Sequence, residues 1–186
     1  VSTDVFPARW LDAAADAQCL PFRRATFQNV VGVDVLHHLP RPISFLREAV
    51  RVLVVGGHLV LLEPAITSLS RIVFALFHPE PFDLDADPLL DGPTPTGCET
   101  EDTNQALATL LCRPSELMRL EARIPALHLV EARWLSLFAY PLAGGFRRWS
   151  LLPTCLARPL LRLEEPLLRM AGPLLAFRLL LVFKRC

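Results

Sequence analysis

Apolar positions along this chain recur in two different rhythms. Residues 29–35, NVVGVDV, and 58–64, HLVLLEP, are short, nearly continuous apolar runs rich in valine and leucine. That pattern predicts strands buried on both faces. Between them, Ile43, Leu46, Val50 and Leu53 recur three or four apart, which puts them on one face of a helix over 43–53. Pro42 suits the first helical position, and Gly56 and Gly57 suit a left-handed stop after the last turn. Strand, loop, helix, glycine turn and strand make a βαβ unit with parallel strands and a right-handed crossover.

The flanking segments are read the same way. Residues 1–5 read as the end of a strand and 68–77 as a helix. Segments 103–112 and 115–122 are helical, with Thr103 and Ser115 as N-caps. A strand is expected within 127–140 and a last one over 175–184. The leucine-rich stretch between 144 and 173 reads as helix broken up by prolines, and no internal repeat is expected. Residues 83–102 change character: they are acidic, rich in proline and glycine, and predict a loop able to act as a lid.

Composition narrows the function. The chain has 186 residues, 52% of them hydrophobic, enough for one domain with a core. Formal net charge is zero, without the basic footprint of a nucleic-acid binder. The five cysteines form no CxxC pair, so neither a zinc site nor a disulfide framework is indicated, and a reducing, cytoplasmic setting is expected. No apolar run reaches the roughly 18 residues of a membrane-spanning helix. The C-terminal segment from Arg158 onward reads as a leucine-rich helix packed on the sheet, with peripheral membrane contact as its alternative.

The candidate chemistry centres on VDVLHHLPRP, residues 33–42. His37 and His38 could line a cleft, and one of them could serve as a general base. Adjacent side chains rarely point the same way, so at most one of the two is expected to face a substrate. No carboxylate or cysteine stands at helical or hairpin spacing to complete a metal site. Glu63 and Arg133 read as structural.

The ordered string DAQCLPF, VVGVDVLHHLPRP, LREAVRVLVVGG and HLVLLEP resembles the class I S-adenosylmethionine-dependent methyltransferases, the type 11 group in particular, over about residues 1–65. The resemblance implies an α/β fold: a Rossmann-like, mostly parallel sheet flanked by helices. It also implies methyl transfer from S-adenosylmethionine to a small-molecule or lipid-like acceptor. Asp4 would accept from the ribose hydroxyls, Asp16 and Ala17 would flank the adenine, and Val33 and Asp34 would close over the cofactor. His38, or less so His37, would be catalytic, and Glu63 would lie near the acceptor. The family's Gly-rich turn is absent ahead of Asp4, and Gln28, Asn29 and Val55 depart from its usual residues. The expectation is therefore a single, partial methyltransferase domain over 1–186, lacking the first strand and helix and forming the C-terminal part of a longer enzyme. The alternative is a catalytically inactive methyltransferase-like binding module.

Overall fold

The computed structural model describes residues 1–77, 81–91, 104–145 and 149–186. Two short parallel strands, β1 (Thr3–Asp4) and β2 (Ala13–Ala14), pair with each other at the N-terminal end. The main sheet holds β3 (Phe27–Val33), β4 (Leu53–Pro64), β5 (Leu127–Leu135) and β6 (Arg178–Arg185), in the order β3-β4-β6-β5. β3 and β4 are parallel, and β6 is inserted antiparallel between β4 and β5. Three of the four strands therefore run the same way, the mostly parallel α/β arrangement expected. The βαβ unit is also as read: helix α1 (Pro42–Val52) carries the chain from β3 to β4.

Alternation along β4 and β6 separates two faces. Leu59, Leu61, Leu181 and Phe183 point to one face, where they are fully buried with Ile43, Leu46 and Ala49 of α1. Helices α3 (Leu107–Leu111) and α4 (Pro114–Arg123) complete that core through Leu107, Leu111 and Leu120. A second cluster gathers beyond the end of β4, where Ile66 packs with Phe74 of α2 (Ser68–Phe77), Leu168 of α6 (Thr154–Leu175) and Phe177. On the opposite face, Val31 and Val33 of β3 remain 65% and 53% exposed.

Several expectations need correction. The glycines do not stop α1: the helix ends at Val52, and Leu53 is already extended and paired with Phe27. Gly56, at φ +82°, sits inside β4, where the register against β3 shifts between Phe27 and Asn29. Gly57 is needed for space, since a Cβ there would lie 2.8 Å from the Gln28 carbonyl oxygen. Thr103 lies outside the described residues, and Asn104 instead accepts the Ala106 N–H ahead of α3. Arg113 precedes α4, whose first residue is Pro114.

The prolines break α6 at one place rather than at each proline. Pro159 and Pro166 lie within a continuous helical stretch, but the helix kinks at Ala171 (φ −122°, ψ 16°), two residues before Pro173, so the expected break is found there alone. All three prolines lie on its exposed side, where carbonyls that lose an N–H partner can turn to water. The acidic loop is not a free lid through residue 91. Leu89 is fully buried, Arg47 pairs with Asp91 at 2.8 Å, and Arg119 pairs with Asp87 at 3.0 Å. Residues 92–102 of that loop lie outside the described residues.

Candidate active site

The site forms where β3 and β4 end, because parallel neighbours bring their carboxyl ends to the same edge. β3 finishes at Val33, and Asp34 follows in the left-handed region at φ +53°. Asp34 keeps its backbone tied to the sheet by donating its N–H to the Leu62 carbonyl at 3.0 Å. The chain then tightens into a 3-10 turn, Leu36–His38. Glu63 stands one residue before the end of β4, and antiparallel pairing sets Arg178, the first residue of β6, opposite Pro64.

Glu63 is the hub of this corner and is fully buried. Its Oε1 accepts the backbone N–H groups of Val35 at 3.0 Å and Leu36 at 2.8 Å, the open donors at the start of the 3-10 turn. Its Oε2 lies 2.6 Å from His37 Nδ1, and the His37 side chain is 1% exposed. A buried carboxylate is tolerable here because each oxygen has a polar partner. The His37 carbonyl accepts the Asn104 N–H at 2.9 Å, which joins the turn to the segment before α3.

Arg178 supplies the positive charge. It pairs with Asp34 at 2.6 Å, donates to the Leu62 carbonyl at 3.2 Å, and lies 5.9 Å from the centre of the Tyr140 ring. That ring stacks on Phe177. Asp34, His37 and Glu63 offer ligand atoms within 4.8 Å of one another, a grouping that helical or hairpin spacing could not reveal. In the structure these groups are tied to others: Arg178 pairs with Asp34, while two N–H groups and His37 hold Glu63. The cluster is an ion-pair and hydrogen-bond network.

The other expected residues are placed as follows. His38 is exposed, and its ring lies 4.0 Å, centre to centre, from that of His37 at a 38° tilt. The pair thus divides into one buried and one solvent-facing imidazole. Asp4 is exposed, and its Oδ1 accepts the Phe6 N–H at 2.9 Å. Asp16 is exposed, and its Oδ1 accepts the Gln18 N–H at 2.8 Å. Ala17 is half-buried against the main core. Each carboxylate uses one oxygen on a local turn, so a second oxygen is left for hydroxyl or amine donors. Burial pushes the Cys112 thiol up to about 12, so it offers no thiolate nucleophile at neutral pH.

Arg178 and Tyr140 escape a reading of the sequence. Arg178 lies more than a hundred residues from Asp34, and only the antiparallel insertion of β6 joins them. Glu63 carried a signal, as the one carboxylate ending an otherwise apolar strand.

Residues 6–61 match the family model described as a methyltransferase domain. That stretch builds β2, β3, α1 and most of β4 and contains His37, His38 and Asp34, in agreement with a class I methyltransferase domain. No curated protein sequence matches the chain. Among solved structures, a Bacillus halodurans protein assigned provisionally as a methyltransferase is 18% identical, with TM-score 0.47 over 100% of this chain and 80% of that one. A SAM-dependent methyltransferase from Archaeoglobus fulgidus is 15% identical, with TM-score 0.46 over 93% of this chain and 66% of that one. A geranyl diphosphate C-methyltransferase from Streptomyces coelicolor, in complex with Mg2+, geranyl diphosphate and S-adenosyl-L-homocysteine, is 12% identical, with TM-score 0.46 over 94% of this chain and 53% of that one. The chain spans less than two-thirds of the last two proteins. Among the described residues, no helix is long and apolar enough to cross a membrane.

Proposed function

We propose that the protein transfers a methyl group from S-adenosylmethionine to a small-molecule or lipid-like acceptor, as part of a longer enzyme. The observation that carries this reading is the Asp34–His37–Glu63–Arg178 network at the carboxyl ends of β3 and β4, built within and beside the stretch that matches the methyltransferase family model. Open α/β sheets bind ligands at that edge.

In this reading, Asp4 and Asp16 hold the ribose hydroxyls and the adenine amine through their uncommitted oxygens. Ala17, Val33 and Asp34 line the same cleft. When bound, the cofactor supplies a sulfonium-linked methyl group that is already a strong electrophile, so the chain contributes mainly alignment and desolvation. His38 faces solvent and can take a proton from an acceptor that must lose one. Its neighbour His37 is a positioning residue, fixed by Glu63 and tilted against His38.

Calorimetric titration with S-adenosylhomocysteine tests the binding half. Binding that Asp4→Asn and Asp16→Asn weaken supports the assignment, and binding indifferent to both refutes it. His38→Ala should then slow transfer by about 10²–10⁴-fold and flatten its pH profile near neutrality. A methyltransferase-like binding module is the second reading, favoured by the exposed Val31 and Val33 face of β3. Complete failure to bind the cofactor product favours that module.

A further inference from the structure

The sequence of α6 is a threefold repeat of seven residues: LARPLLR (156–162), LEEPLLR (163–169) and MAGPLLA (170–176). The expectation of no internal repeat is therefore corrected. The period is a short one, two turns of a helix, and all but its last residue, Ala176, lies within α6.

Folding the repeat into α6 gives it a definite shape. Positions 156, 160, 163, 167 and 170 alternate in steps of four and three, so they align along one side of the helix, and 174 continues the pattern beyond the kink at Ala171. All six are leucine or methionine, and none is buried. Leu163 is 78% exposed and Met170 is 88% exposed. Glu164, Leu168 and Gly172 form the other side, buried against the body of the protein. The prolines lie along the outer edge of the apolar stripe. Beyond them, at helical spacing, come Arg158, Arg162 and Arg169, all exposed. One exposed-side carboxylate answers them: Glu165, paired with Arg169 at 2.6 Å. Trp149, also exposed, precedes the helix.

We propose that this face of α6 docks the protein on an anionic phospholipid surface, with the Leu/Met stripe entering the acyl boundary and the three arginines meeting the headgroups. An apolar stripe with cations on the polar side beyond its proline edge, and a nearby tryptophan, is the chemistry of a helix lying in a membrane interface. A second copy of the chain fits this face less well. The prolines recur at the position flanking the seam, where paired helices place complementary charges, and the opposite flank is buried in this protein. The inference stands apart from methyl transfer, because its measurement is binding alone.

The test is co-sedimentation of the full chain with vesicles of phosphatidylcholine containing about one-third phosphatidylglycerol, at low salt. The chain should bind these vesicles, bind neutral ones far more weakly, and release as salt screens the headgroups. Arg158→Glu/Arg162→Glu/Arg169→Glu should lower the partition constant by about a hundredfold or more. Leu163→Glu/Met170→Glu should lower it by at least about tenfold. Both variants change exposed side chains, and unchanged circular dichroism and melting confirm that they fold. The proposal is overturned if the anionic vesicles bind no protein, or bind the variants as well as the parent. It is also overturned if sedimentation velocity shows a dimer that Leu163→Glu/Met170→Glu dissolves.

Discussion

Glu63 Oε2 lies 2.6 Å from His37 Nδ1 in a corner that excludes water from both side chains. The same carboxylate holds the start of the 3-10 turn through two backbone N–H groups. One residue of β4 thus determines both the path of the chain after β3 and the orientation of the buried imidazole. Glu63→Ala leaves three buried donors without an acceptor and should cost about 3–5 kcal/mol in urea unfolding. Glu63→Gln should cost clearly less, because its amide oxygen can still accept from Val35 and Leu36 while its NH2 donates to the other tautomer of His37. Equal losses for the two variants would show that the hydrogen bonds are not what Glu63 contributes.

Much of this architecture was legible in the chain. The helix over 68–77 and the βαβ unit follow from periodicity, because each buries one consistent face. That the two histidines point to different surroundings follows from their being adjacent in a tight turn. What the sequence could not show depends on tertiary pairing. Arg178 reaches Asp34 because β6 runs against β4. The early start of β4 at Leu53 depends on a register shift that local propensity does not encode. Pro159 and Pro166 looked like breaks because propensity counts their lost hydrogen bonds, whereas both sit on the exposed side where water can replace them; the one kink, at Ala171, precedes Pro173.

Glu164 repeats the device of Glu63 just beyond the end of β5. Its two oxygens accept the N–H groups of Leu137, Phe138 and Ala139 at 2.9, 2.6 and 2.7 Å, at the entry to the short helix α5 (Ala139–Leu142). This buried link ties α6 to the segment that carries Tyr140 toward Arg178. Glu164→Ala should lower stability by about 2–4 kcal/mol, in line with a buried charged acceptor of several hydrogen bonds. Glu164→Gln should recover part of the loss. Chemical denaturation of the two variants gives the comparison directly.

The contact of α6 with β5 is closest at Gly172. A Cβ built there would lie 2.4 Å from Trp134 Cβ and 2.6 Å from Trp134 Cγ, an overlap that neither backbone can absorb in place. Gly172→Ala would normally favour a helix. Here it should destabilise by about 1–3 kcal/mol, because the helix must move away from the strand. A melting temperature equal to or above the parent's would mean that the Trp134 side of β5 yields freely.

Acid should weaken the joint between α1 and the chain leading into β3. Glu48 accepts from Arg51 and from the Leu20 N–H at 2.8 Å, while Arg51 donates to the carbonyls of Leu20 and Phe22. The Arg51 hydrogen bond holds the Glu48 carboxyl below its ordinary value of 4.5. A carboxyl lowered by folding binds protons more readily in the unfolded chain. Its contribution is therefore complete above about pH 4.5, the unfolded value, and disappears as pH falls through the lower folded value. Glu48→Gln removes this titration, so its deficit relative to the parent should be largest near neutrality and shrink as the pH drops below that window. Parallel thermal melts of parent and variant from neutral to strongly acidic buffer measure it. A deficit that stays constant with pH would show that Glu48 acts only through its shape.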